Sequence, residues 1–201
     1  MEKQLIISVG REYGSGGHAI AEELAKRFDL PLFDNNLLEK IAQEKEVSHE
    51  DLLRYDEKPK SFIFSRTVRG FSNSMEELTA KMQFDYLKKK AEAGESFVIV
   101  GRCAETILKD CPALVSIFVL GDWKAKLKRI QEKFGVTEAE AQRMMERNDW
   151  KRKSYHNNHC KGKWGDSRNY DLSVNSSRMG IDVTADFLEL YVKLRLGQIQ
   201  M

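Results

Sequence analysis

Apolar runs of strand length alternate with longer segments of helical period along most of this chain. The runs from Leu5 to Val9, Pro31 to Phe33, Phe97 to Val100, Leu114 to Leu120 and Leu172 to Val174 are apolar almost throughout, as strands covered on both faces are. Such strands separated by helical stretches predict an α/β fold, a parallel five-stranded sheet sandwiched between crossover helices. From about Ile181 to Leu196 a last helix, carrying Phe187, Leu188, Leu190, Val192 and Leu194, closes the domain.

The stretch between Phe33 and Phe97 is too long for one crossover and reads as several inserted helices. Ser74 followed by Glu77 has capping-box spacing and opens a helix with Leu78, Met82, Phe84, Tyr86 and Leu87. Before it, Lys58, Lys60, Arg66 and Arg69 stand among small polar residues, and 58–73 is expected to form a flexible flap. Thr137 and Glu140 make a second capping box, starting a long helix that turns basic at Arg143, Arg147, Lys151, Arg152 and Lys153. The glycines of Lys161-Gly162-Lys163-Trp164-Gly165 then favour a loop or hinge.

With 201 residues, 41% of them hydrophobic, the chain can bury one substantial core, so one principal domain is expected. A net charge of +2 argues against coating a nucleic acid, and any anionic ligand must be met by local clustering. Neither a secretory leader nor an apolar run long enough to span a bilayer is evident, which predicts a cytoplasmic protein without membrane partners. Cys103, Cys111 and Cys160 lack paired spacing and read as thiols in a reducing compartment. His156, His159 and Cys160 lie close in sequence, but no nearby cysteine pair completes a ligand set, so no metal site is expected there.

The segment Gly10-Arg11-Glu12-Tyr13-Gly14-Ser15-Gly16-Gly17-His18 follows the first strand and precedes a helical stretch. Glycines let a chain curl until successive N–H groups point inward, and a helix N-terminus adds partial positive charge, so this layout predicts a phosphate cradle. Against the pattern G-x-x-x-x-G-K-[ST], Gly17 stands at the lysine position and His18 at the hydroxyl position. Arg11, His18 or a basic side chain from elsewhere must then supply the missing charge.

Residues Ile7 to Gly17 resemble the opening of the cytidylate kinase-like family, which shares this lysine-free loop. Leu32-Phe33-Asp34-Asn35, Val98-Ile99-Val100-Gly101-Arg102 and Asn169 to Ser176 are similar to its second-, third- and final-strand blocks, in the same order. The resemblance implies a P-loop NTPase-type three-layer fold of the nucleoside monophosphate kinase kind. Its core would comprise 1–34, 94–146 and 168–201, with a helical monophosphate-binding insertion at 35–93 and a basic lid at 147–167.

The resemblance further implies that Arg102 contacts the nucleoside monophosphate, with Asp34 beside it. Where cytidylate kinases place Ser and, five positions on, Arg, this sequence has Asn35 and Lys40, so cytidine selectivity has little sequence support. Arg147 and Arg152 match the lid arginines, although a solvated helix face is the competing reading. Trp164 and Tyr170 either stack on an adenine or pack the hinge. The implied activity is transfer of the γ-phosphoryl of ATP, as its Mg2+ complex, to a nucleoside monophosphate, with CMP or dCMP the first candidates. Gly10, Gly14, Ser15, Gly16, Gly17 and His18 would hold the donor phosphates, and Arg11, Arg147 and Arg152 would act in transfer. The alternatives are a nucleotide-binding regulator without efficient turnover and a kinase of another small substrate.

Overall fold

The computed structural model describes residues 3–34, 37–44 and 75–197. Five strands, β1 (Ile6–Arg11), β2 (Leu32–Phe33), β3 (Phe97–Val100), β4 (Leu114–Leu120) and β5 (Leu172–Asn175), form one sheet in the order β2-β3-β1-β4-β5. Every pairing is parallel. The helices are α1 (Gly17–Arg27), α2 (Leu37–Glu44), α3 (Met75–Glu92), α4 (Ala104–Ile107), α5 (Trp123–Phe134), α6 (Glu138–His159) and α7 (Gly180–Leu196). The 58–73 flap, the Ser74 cap and Asn35 lie outside the described residues.

Alternation along β1 assigns its two faces. Ile7 and Val9 join Ile20 and Leu24 of α1 and Leu188 and Val192 of α7 in one core cluster. Ile6, on the opposite face, packs with Phe33, Leu37, Ile41, Leu87 and Phe97. Fully burying each such side chain contributes about 1.5–3 kcal/mol, so both helical layers are held by the sheet between them. The Thr137 capping box forms as the sequence predicts, its hydroxyl accepting from Glu140 N and its own N–H donating to Glu140 Oε2.

The strand positions match the apolar runs, but β1 continues through Gly10 and Arg11, which pair with Phe118 and Val119 of β4. Backbone pairing extends the strand past its last apolar residue, and this delivers Arg11 to the C-terminal edge of the central strand. In open parallel sheets that edge is where ligands are bound.

Candidate functional site

Residues 12–16 turn the chain from β1 into α1. Gly14 and Gly16 take φ of 81° and 80°, a region that side chains disfavour and glycine enters freely. Ser15 is buried, its hydroxyl donating to the Glu12 carbonyl at 2.9 Å and accepting from Gly17 N at 3.3 Å. Ser176 Oγ donates to the Ser15 carbonyl. The first N–H groups of any helix lack intrahelical acceptors, and the first turn of α1 contains no acidic residue to offset its positive end.

Helices α5 and α6 brace this loop. Arg129 donates to the Gly14 carbonyl at 2.5 Å. Lys126 Nζ, buried, lies 2.9 Å from Glu12 Oε2 and 3.9 Å from Asp149. Asp149 accepts from Tyr13 N at 2.6 Å, and Arg152 Nη1 donates to the Arg11 carbonyl at 3.1 Å. Burial pushes the Asp149 carboxyl up, against the opposing pull of the Tyr13 amide, Lys126 and Arg152.

Gly17 has a packing explanation. A Cβ there would stand 2.5 Å from Arg11 Cβ and 3.2 Å from Val119 Cβ. The space into which a residue at the lysine position would project is filled by Arg11.

A cleft of about 740 Å³ lies between the ends of β1 and β3 and helix α6, lined among others by Arg11, Arg102 and Arg152. At its floor Gly101, Arg102 and Cys103 are consecutive residues with φ of 75°, 60° and 56°. Each non-glycine residue held there costs on the order of 1–3 kcal/mol, strain of a kind that gathers at functional sites. The Arg102 guanidinium lies 5.9 Å from the Tyr155 ring centre, and burial pushes the Tyr155 phenol up to about 12. Arg11 reaches across to Gly101, and its Nε is buried without a hydrogen-bond partner. Burial, then the like charges of Arg152 and Arg102, push the Arg11 guanidinium down to about 9, with Asp34 and Asp149 opposing. Perturbed cations gathered in a cleft mark a candidate anion site.

The model of the cytidylate kinase-like family matches residues 6–178. This chain belongs to that family. A solved structure of an uncharacterized protein from Eubacterium ventriosum ATCC 27560 is 39% identical, covering 94% of this chain and 99% of that one at a TM-score of 0.74. Shikimate kinase from Bacteroides thetaiotaomicron is 12% identical, with 94% and 98% covered and a TM-score of 0.52. Shikimate kinase from Acinetobacter baumannii, solved in complex with shikimate, is also 12% identical, with 100% and 97% covered and a TM-score of 0.52. These last two share the fold. No curated protein matches the sequence.

In this cytidylate kinase-like chain Gly10, Arg11, Arg102 and Arg152 meet at the cleft, whereas Gly14, Ser15, Gly16, Gly17 and His18 do not line it. His18 Nε2 is 3.4 Å from Glu22 and 3.8 Å from Asp34. Lys40 of α2 turns back onto β2, donating to the Leu32 carbonyl at 2.7 Å with its ammonium 4.9 Å from the Phe33 ring centre. Arg147 is exposed and off the cleft, because five residues separate it from Arg152 and rotate it about 140° around the helix. Trp164 and Tyr170 pack against Phe118, at ring separations of 5.5 and 5.0 Å, and both also line the cleft. No helix among the described residues is long and apolar enough to cross a membrane.

The family pattern did not single out Glu12, Lys126, Arg129 and Asp149, which brace the loop, nor Glu105, whose carboxylate meets His156 at 2.8 Å. Both side chains of that pair are almost fully buried, at 2% and 5% exposure. His156, Glu105 and Cys160 form a group able to ligate a metal. Burial disfavours the charged imidazole, but hydrogen bonds with Cys160 and Glu105 outweigh it and raise His156. The Cys103 hydrogen bond, then those of His156 and Thr106, lower Cys160 against burial. Apart from the His156–Cys160 pair, these contacts have no local sequence signal, since each joins residues that only the topology makes neighbours. The nearest available sign was the i, i+4 spacing of His156 and Cys160.

Proposed function

We propose that this protein transfers the γ-phosphoryl group of ATP to a nucleoside monophosphate, with CMP or dCMP the first acceptors to try. The carrying observation is the convergence of Arg11, Arg102 and Arg152 on one cleft beside the glycine loop, with Arg11 Nε left unpaired. Phosphoryl transfer needs positioned cations more than covalent chemistry, because its loose transition state spreads charge over the moving group.

In this reading the backbone of Gly14, Ser15, Gly16 and Gly17, with the first turn of α1 at His18, holds the donor phosphates. Arg102 grips the acceptor phosphate through two parallel N–H groups, with Asp34 beside it; the family pattern adds Asn35 and Lys40, and Lys40 would first leave the Leu32 carbonyl. Arg11 takes the electrostatic part of the absent lysine, and Arg152 brings a second cation from α6. Arg147 would join them only through a movement of α6. Mg2+ would arrive with the nucleotide. The fold offers it no hydroxyl at the usual position, since His18 stands there and Ser15 Oγ is engaged with Glu12 and Gly17.

The test is titration with ATP, CMP and a bisubstrate dinucleotide, followed by coupled ADP release across nucleoside monophosphates, shikimate and other small hydroxylated acids. Turnover with a nucleoside monophosphate is the expected result. Binding without turnover would make the protein a nucleotide-dependent regulator, and turnover only with another acceptor would make it a kinase of that compound.

A further inference from the structure

Phosphoryl transfer does not use the buried cluster where α6 ends against the turn between β3 and α4. His156 and Cys160 are four residues apart and meet Glu105, their candidate ligand atoms all within 4.8 Å of one another. Cys103, in the strained turn beside Arg102, neighbours Cys160, with its thiol outside that 4.8 Å group. His156 Nδ1 lies 3.3 Å from Asn157 Oδ1, which also accepts from Trp164 N at 2.9 Å. Glu105 Oε1 accepts from Thr106 Oγ1 at 3.2 Å.

We infer that Cys103, Glu105, His156 and Cys160 form a closed zinc site that clamps the C-terminal end of α6 to the β3–α4 turn. Two sulfurs, one nitrogen and one oxygen make a tetrahedral donor set that suits zinc, whereas Mg2+ and Ca2+ take oxygen ligands. Bonds of about 2.3 Å to sulfur and about 2.0–2.2 Å to nitrogen and oxygen place neighbouring ligand atoms roughly 3.3–3.8 Å apart. Reaching that spacing means opening the 2.8 Å contact between His156 and Glu105, closing the wider edges of that trio, and rotating the Cys103 thiol in to join it. Four protein ligands exclude water, so the ion holds structure rather than activating a nucleophile. Asn157 supports the His156 ring in the way outer partners orient metal-bound imidazoles.

Sequence spacing predicts no metal here because no cysteine pair lies nearby; in this proposal the second thiol comes from Cys103, far away along the chain. His159, grouped with His156 and Cys160 by sequence, instead packs against the rings of Phe84 and Tyr155 at 5.7 and 4.6 Å.

Metal-free, fully reduced protein is titrated with Co2+ and then with Zn2+. The expected result is one ion per chain, with the intense d–d absorption of tetrahedral cobalt and a thiolate-to-cobalt charge-transfer band, both erased by zinc. Cys103→Ser and Cys160→Ser should each lower zinc affinity by at least the roughly 10–100-fold that loss of an outer partner costs. His159→Ala should leave affinity unchanged, with circular dichroism checking the fold of every variant. Zinc-edge X-ray absorption of the wild type needs no variant and should find two sulfur neighbours. A weak octahedral cobalt spectrum, a charge-transfer band unchanged in Cys160→Ser, or a zinc shell without sulfur would overturn the inference. No nucleotide enters any of these measurements, so their outcome is separate from that of the kinase assay.

Discussion

The glycine loop and the arginine cleft open from the C-terminal edge of one sheet, yet the fold treats their polar groups in opposite ways. In the loop, Ser15 is tied to Glu12, Gly17 and Ser176, the Gly14 carbonyl to Arg129, the Tyr13 amide to Asp149, and Glu12 to Lys126. The loop is fixed before any ligand arrives, as preorganised sites are. At the cleft, three guanidinium groups face one another, Arg11 Nε has no acceptor, and the floor is left-handed at Gly101, Arg102 and Cys103. One region has spent its hydrogen bonds on itself, and the other carries a cost that an anion would relieve.

The largest test of that contrast is Arg152→Ala. Turnover on the best acceptor should fall by something like the 10³–10⁵ that an arginine finger contributes, with ATP affinity changing far less. Steady-state assays of Arg11→Ala and Arg147→Ala alongside it would show how the charge is shared, and full turnover in all three would remove the arginines from the mechanism. His156→Ala probes the wall of the cleft, where charge is compensated. It strands the Glu105 carboxylate and should cost about 3–5 kcal/mol of stability in urea denaturation, so a loss under about 1 kcal/mol would mean that the pair is neutral.

Arg102→Ala should weaken monophosphate binding by about 1.5–3 kcal/mol and leave ATP binding nearly unchanged. Equal losses for both ligands in calorimetry would place Arg102 at the donor end. The smallest effect is the pH dependence of Arg11. Folding lowers its value from 12.5 to about 9, so a destabilising contribution is present below 9 and is lost as pH rises from there towards 12.5. A bound anion restores the charge. With phosphate already dianionic above about pH 8, its affinity should decline above about 9, by at most about 1.4 kcal/mol per pH unit. Arg11→Met should flatten that decline, and an unchanged slope would detach it from Arg11.

What the sequence disclosed follows from range along the chain. Apolar runs located the strands, and Thr137 with Glu140 located the start of α6, because each signal is contained in a few neighbouring residues. Gly10 and Arg11 were missed as strand because their pairing with Phe118 and Val119 is made by backbone, whatever their side chains. The family pattern named Arg102 and Arg152, both of which line the cleft. Lys126, Arg129 and Asp149 were not, since their roles depend on how the α5–α6 pair lands on the loop. Lys40 shows the reverse case, a residue named by its position whose ammonium turns back onto β2.

The interlock of Arg11 with Gly17 ties the two positions into one unit of inheritance. Gly17→Lys alone drives its Cβ into the Cβ of Arg11, which every residue but glycine keeps, so only Arg11→Gly opens the space, and it discards the cation. Passage between this loop and a lysine-bearing one thus runs through an intermediate worse than either end, and a cycle of the two single variants and their double should be strongly non-additive. Ancestral reconstructions of this loop should therefore find the two positions changing together.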